Sequence, residues 1–229
     1  LGVSFDTHIG HDLIDDYQGR YDFYHRVEEK VPFDLEYMNK ITRGGLSRKS
    51  LNIILAGTGV GKSLAMCHMA AANLMMGKNV LYITMEMAEE KIAERIDANL
   101  LNVPIPDLQS LPKDLYEKKI AGIRAKTTGK LIIKEYPTAS AHAGHFRHLL
   151  NELNLKRSFV PDIIYIDYLN ICMSARIKTG SNVNSYTYIK AIAEELRGLA
   201  VERNVPIVSA TKTTRSGYSS SDVDLTDTS

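Results

Sequence analysis

The chain has 229 residues, 44% of them apolar and 24% charged, which suits one sizeable globular domain because a chain of this length can bury most of its apolar surface. Lys and Arg total 28 against 27 Asp and Glu, so the net charge of +1 excludes a uniformly basic nucleic-acid coat but leaves room for a local basic loop. No apolar run approaches the roughly 18 to 20 residues that span a bilayer, no signal peptide opens the chain, and Cys67 and Cys172 lack metal-ligand spacing, so both read as reduced thiols of a cytoplasmic protein.

The first residue is Leu1 rather than Met, and Ser229 falls inside a polar Ser/Asp/Thr stretch, so the sequence reads as a piece of something longer. Ile14, Tyr17, Tyr21 and Tyr24 follow at spacings of 3, 4 and 3, which puts them on one face of a helix, with Asp15, Asp16, Arg20 and Asp22 on the other. Gly19 weakens that helix by up to ~1 kcal/mol relative to Ala, and Pro32 marks its end or lies just past it. Two roles stay open for it: packing on its own domain, or serving as an arm that docks on a neighbouring subunit.

From Leu51 the pattern changes to short apolar strands alternating with helical stretches. The strands are expected at Leu51–Ala56, Val80–Thr84, Leu131–Glu135, Ile163–Asp167 and 206–210. Residues 64–76 are apolar nearly all round and are expected to be buried, whereas Ile92, Ile96 and Leu100, and then Ile189, Ile192, Leu196 and Leu199, form amphipathic stripes. Weaker helical patterns cover 114–126 and 141–155. Strands alternating with helices imply crossover units, hence an α/β domain with a mostly parallel sheet covered on both faces.

Residues 56–63, AGTGVGKS, lie between an apolar strand and an apolar helix. A phosphate needs donors without bulk. Gly57, Gly59 and Gly61 allow backbone N–H groups to turn inward, and the following helix directs its positive end at the anion. The nucleotide-binding set is therefore Gly57, Thr58, Gly59, Val60, Gly61, Lys62, Ser63 and Leu64, with Lys62 reaching the β- and γ-phosphates and Ser63 holding Mg²⁺. Ala56 stands where the strict pattern has Gly, one mismatch just ahead of the tight part of the loop. The strand Ile163–Asp167 ends in an acid, which places a carboxylate at the sheet's carboxyl edge as a second Mg²⁺ ligand. Glu86 follows the strand Val80–Thr84, where it either orients and deprotonates the attacking water or simply favours a helix start together with Glu89 and Glu90.

The runs AGTGVGKS, YITMEMAEEKIAERI, IIYIDYL and PIVSAT, in that order, resemble the ATPase domain of DnaB-type replicative helicases. The chain is similar in particular to the T-even-type phage members, which share VPFDLEYMNKITRGGL and a KAIAEELR helix. The resemblance implies a RecA-like fold over residues 36–229, incomplete at its C-terminus, preceded by a linker or arm over residues 1–35. It also implies a ring of six subunits that moves along single-stranded DNA by hydrolysing ATP or another NTP with Mg²⁺. In that family the glutamate matching Glu86 is catalytic. Glutamine is usual at the phosphate-sensor position occupied here by Lys212, and a lysine meets phosphate as a flexible point charge rather than as an amide. By the same resemblance the arginine finger, the last core motif and further strands lie beyond Ser229, and contacts to primase and a helicase loader lie in regions outside this sequence.

DNA-facing loops are expected at 174–185, with Arg176 and Lys178, and at 213–227, with Arg215 and Tyr218. With two cations in the first and one in the second, such loops grip DNA weakly and depend on ring avidity. His142, His145 and His148 recur every three residues, a step that drifts around a helix and does not close a tetrahedral metal site, so they read as an exposed helix face. The alternative to a motor is a nucleotide-switched assembly or recombinase-type ATPase without helicase activity, since a fold does not fix a function.

Overall fold

The structure is a computed structural model and describes residues 10–177 and 183–212. A small antiparallel pair, β1 (Lys30–Val31) with β2 (Leu46–Ser47), stands apart from the central sheet. That sheet has five parallel strands: β3 (Leu51–Ala56), β4 (Val80–Thr84), β5 (Leu131–Glu135), β6 (Ile163–Asp167) and β7 (Ile207–Lys212), in the order β3-β7-β6-β4-β5.

The central strands are buried on both faces, and the period-2 alternation of side chains sorts them into two cores. Val80, Tyr82, Ile163, Tyr165, Val208 and Ala210 face α3 (Lys62–Met75) and α4 (Glu89–Leu101), meeting Met66, Cys67, Ala70, Ala71, Ile92 and Ile96. Leu81, Ile83, Ile164, Ile166 and Ile207 face α7 (Ala143–Arg157) and α8 (Ser185–Arg203), where Phe146, Leu150, Ile192, Leu196 and Leu199 complete the layer. The expected α/β sheet with helices on both faces is what the chain forms. Outside these layers lie α1 (Tyr17–His25), α2 (Glu36–Thr42), α5 (Ile105–Leu108) and α6 (Lys113–Lys126), none of which contains a buried residue.

Four strand predictions coincide with the observed bounds. The fifth runs to Lys212 rather than Ala210, because Ala56 at the end of β3 still pairs with Lys212. α3 departs from the expectation of burial all round: Met66, Cys67, Ala70, Ala71 and Asn73 are buried, but Leu64 is 52% exposed and Met76 39%. Only one stripe of that helix meets the sheet. α1 stops well before Pro32, and Ile14, Tyr17, Tyr21 and Tyr24 are all more than half exposed. Packing of this helix on its own domain is thus not seen. Among the described residues no helix is long and apolar enough to cross a membrane.

His142 is not on the helix face that its spacing suggests but is the N-cap of α7. Its Nδ1 accepts from Gly144 N at 3.0 Å, and His145 Nδ1 accepts from His142 N at 3.2 Å, a reciprocal capping box built from two imidazoles.

Candidate active site

The carboxyl ends of β3, β4, β6 and β7 meet at one edge of the sheet, where open α/β sheets bind ligands. After β3 the chain turns through Gly59 (φ +77°) and Gly61 (φ +105°), conformations open to glycine without the Cβ penalty, and Gly61 caps α3. The first amides of α3 therefore open toward the cleft with the positive end of the helix behind them. That cleft has a volume of ≈ 290 Å³ and is lined by Thr58, Gly59, Gly61, Lys62, Ser63, Leu64, Glu86, Met87, Arg95 and Lys212. Of the predicted loop residues, Gly57 is buried beneath the turn and Val60, 61% exposed, points to solvent.

Lys62 donates through Nζ to Ala56 O at 2.9 Å and Gly57 O at 2.7 Å, so its ammonium sits at the mouth of the loop. Burial and the neighbouring Lys212 draw its pKa down, while Glu86 and Asp167 pull the other way. An anion in the cleft would relieve both of the unfavourable effects.

Asp167, at the end of β6, is 1% exposed. Burial raises its pKa, countered in part by the nearby Ser63 and Tyr82 hydroxyls. Its Oδ2 accepts from the Tyr82 hydroxyl at 3.0 Å, while its Oδ1 is buried with no hydrogen-bond partner. An orphaned carboxylate oxygen beside a serine hydroxyl at a helix N-terminus fits a hard divalent cation, which takes oxygen ligands. The Asp167–Tyr168 peptide bond is cis.

Glu86 is exposed on the cleft wall. The backbone on either side of it is fixed. Thr84 Oγ1 donates to Met87 O at 2.8 Å and accepts from Met87 N at 3.1 Å, and Met85 N donates to Asp167 O at 2.9 Å. Lys212 closes the opposite wall. Its ammonium lies 4.9 Å from the centroid of the Tyr168 ring, and Tyr168, with a smaller pull from Glu86, holds its pKa up. Thr211 anchors this strand tip by donating to Asn170 Oδ1 at 2.8 Å.

Arg95, which sequence reasoning did not single out, also lines the cleft from α4 and favours the ionised form of Asp167. The signal was its place beside Ile92 and Ile96, whose burial turns that side of α4 toward α3. Arg176, expected to face DNA, is instead ion-paired with Glu194 at 2.7 Å and Glu195 at 3.4 Å, because α8 places both carboxylates beside the segment that follows η1 (Leu169–Ile171). Lys178, Arg215 and Tyr218 lie outside the described residues.

A parallel sheet of this order, with a glycine loop between its edge strand and α3, defines a RecA-like P-loop fold. The DnaB-like helicase C-terminal domain matches residues 31–223, and the chain belongs to that family. It is 50% identical to the DnaB-like replicative helicase of Enterobacteria phage T4 over 99% of its own length and 48% of that protein's. Among solved structures, a DnaB-like replicative helicase described with its interactions with primase superposes with a TM-score of 0.72 at 17% identity, covering 94% of this chain and 53% of that one. A second solved structure, described as an ATPase domain, gives 0.70 at 16% identity, covering 92% of this chain and 74% of that one. The chain thus spans about half the length of the T4 relative (48%).

Proposed function

We propose that the chain is the ATP-hydrolysing motor domain of a hexameric replicative helicase that moves on single-stranded DNA. The observation that carries the reading is the convergence of Lys62, Ser63, Glu86 and the partnerless Oδ1 of Asp167 at one sheet edge. The α3 amides and Lys62 bind the phosphates of ATP, and Glu86 orients the attacking water and takes its proton. Ser63 and Asp167 would hold Mg²⁺, which supplies positive charge against the phosphate oxygens when bound. Lys212 meets the γ-phosphate from the strand beside the P-loop strand, in register with Ala56.

Oligomerisation is supported by α1, whose uncovered Tyr17, Tyr21 and Tyr24 suit docking on a neighbouring copy, so of the arm expected over residues 1–35 the part up to α1 acts as one, whereas Val31, 5% exposed, and Phe33 pack in the core of the motor expected over 36–229. DNA contact falls to Lys178 and Arg215, with Arg176 fastening the base of its loop to α8. The internal neutralisation of Arg176 is the observation that favours the second reading, an ATP-switched assembly module with no DNA motor.

Two variants test the site. Lys62→Ala is expected to abolish both nucleotide binding and turnover. Glu86→Gln is expected to retain binding of a fluorescent ATP analogue while turnover falls roughly 10²- to 10⁴-fold, the usual contribution of a positioned general base. Hydrolysis at the unmodified rate by Glu86→Gln would remove Glu86 from the chemistry.

A further inference from the structure

The two groups assigned to the cation arrive on different elements, Ser63 on the first turn of α3 and Asp167 at the end of β6. Nothing in the backbone ladder fixes the distance between them, since α3 packs on the sheet through side chains alone. One buried polar chain spans that gap. Cys67, one helical turn beyond Ser63 on the same face of α3, donates its thiol to the Tyr82 hydroxyl at 3.7 Å, and that hydroxyl donates to Asp167 Oδ2 at 3.0 Å. Cys67, Tyr82 and Asp167 are 2%, 0% and 1% exposed.

We propose that Tyr82 is a positioning residue for the cation: its phenol holds Oδ2 of Asp167 and so turns Oδ1 toward Ser63, with Cys67 tying the same phenol to α3. This rests on the magnesium reading above and goes beyond it by naming a residue that touches neither nucleotide nor metal.

The geometry supports this in two ways. Tyr82 and Asp167 are diagonal neighbours on one sheet face, since Tyr82 pairs with Tyr165 and Thr84 with Asp167, so the hydroxyl reaches one strand over and two residues along. The Tyr82 ring is itself held. It stacks on Tyr165 with centroids 5.9 Å apart, and Tyr165 donates to Asn73 Oδ1 on α3 at 2.6 Å. A carboxylate with one oxygen saturated by a fixed donor presents the other in a single orientation, which is how outer-shell groups tune a metal site.

The test is a titration of Mg²⁺ into the intact protein with a fluorescent ADP analogue, which reads cation binding without turnover. Tyr82→Phe removes only the hydroxyl. The expected result is a rise in the Mg²⁺ concentration for half-maximal binding of roughly tenfold, with analogue binding in EDTA unchanged. Cys67→Val is expected to shift the same midpoint in the same direction by about twofold. An unmoved midpoint in Tyr82→Phe, or in Cys67→Val where Tyr82→Phe does not fold, overturns the proposal. If analogue binding by the unmodified protein does not depend on Mg²⁺ at all, the magnesium reading fails first and this inference with it.

Discussion

Imidazole nitrogens cap α7, and a titratable cap makes a helix end sensitive to pH. An accepting Nδ1 needs a neutral ring, and protonation of His142 turns its acceptor into a donor facing the Gly144 N–H. Burial lowers the pKa of His142 from 6.5, with His145 and Arg147 adding to the shift and Glu195 opposing it. A depressed folded-state pKa means the unfolded chain takes up the proton first, so this stabilisation is complete above about 6.5 and is lost as pH falls toward the folded value. The thermal midpoint should therefore drop between pH 7 and pH 5.5. His142→Asn, a cap that does not titrate, should flatten that dependence, whereas an equal slope in both proteins would show that the cap is not its source. The histidine spacing was visible in the sequence, but its role was not, because three residues at a step of three look alike whether they lie along a helix or begin one. Asp167 and Lys62 were legible because a strand and a glycine loop announce their positions. Tyr82 was not: inside an apolar strand, one tyrosine carries no sign that its hydroxyl meets a carboxylate.

At the scale of elements, burial decides what a side chain is worth. Leu199 on α8 is 0% exposed in the core between helix and sheet, and Leu155 on α7 is 79% exposed. Leu199→Ala should cost about 2–5 kcal/mol, the lost transfer energy plus a cavity, while Leu155→Ala should stay within about 0.5 kcal/mol. Chemical denaturation of both variants checks the pair, and equal costs would contradict the packing described. The five strands were readable because each is a short, mainly apolar run flanked by polar residues, nearly continuous in β4, β6 and β7, which are buried on both faces. The end of β7 was not, since Thr211 and Lys212 look like loop and are strand only because Ala56 pairs with Lys212. The two-residue strands β1 and β2 carry no periodicity at all. α1 shows the converse limit: its spacing correctly announces a helix, but spacing cannot say whether the apolar face meets its own chain or another.

For the whole molecule, topology does the collecting. Glu86, Asp167, Lys212 and the glycine loop are scattered over more than 150 positions, and the parallel sheet brings their strand ends to one edge. That gathering was expected from the strand-helix alternation. What it could not reveal is that Arg176 is already held by Glu194 and Glu195, a contact between a loop and the helix that follows it, which depends on how α8 packs rather than on any local pattern. The central claim, that this cleft drives movement on DNA, is tested most directly by ATP hydrolysis of the intact protein with and without a single-stranded oligonucleotide. Several-fold stimulation by the oligonucleotide is expected, with Lys212 serving where glutamine is usual. Turnover that ignores the oligonucleotide, and still ignores it in Lys212→Gln, would contradict the motor and leave the ATP-switched assembly in its place.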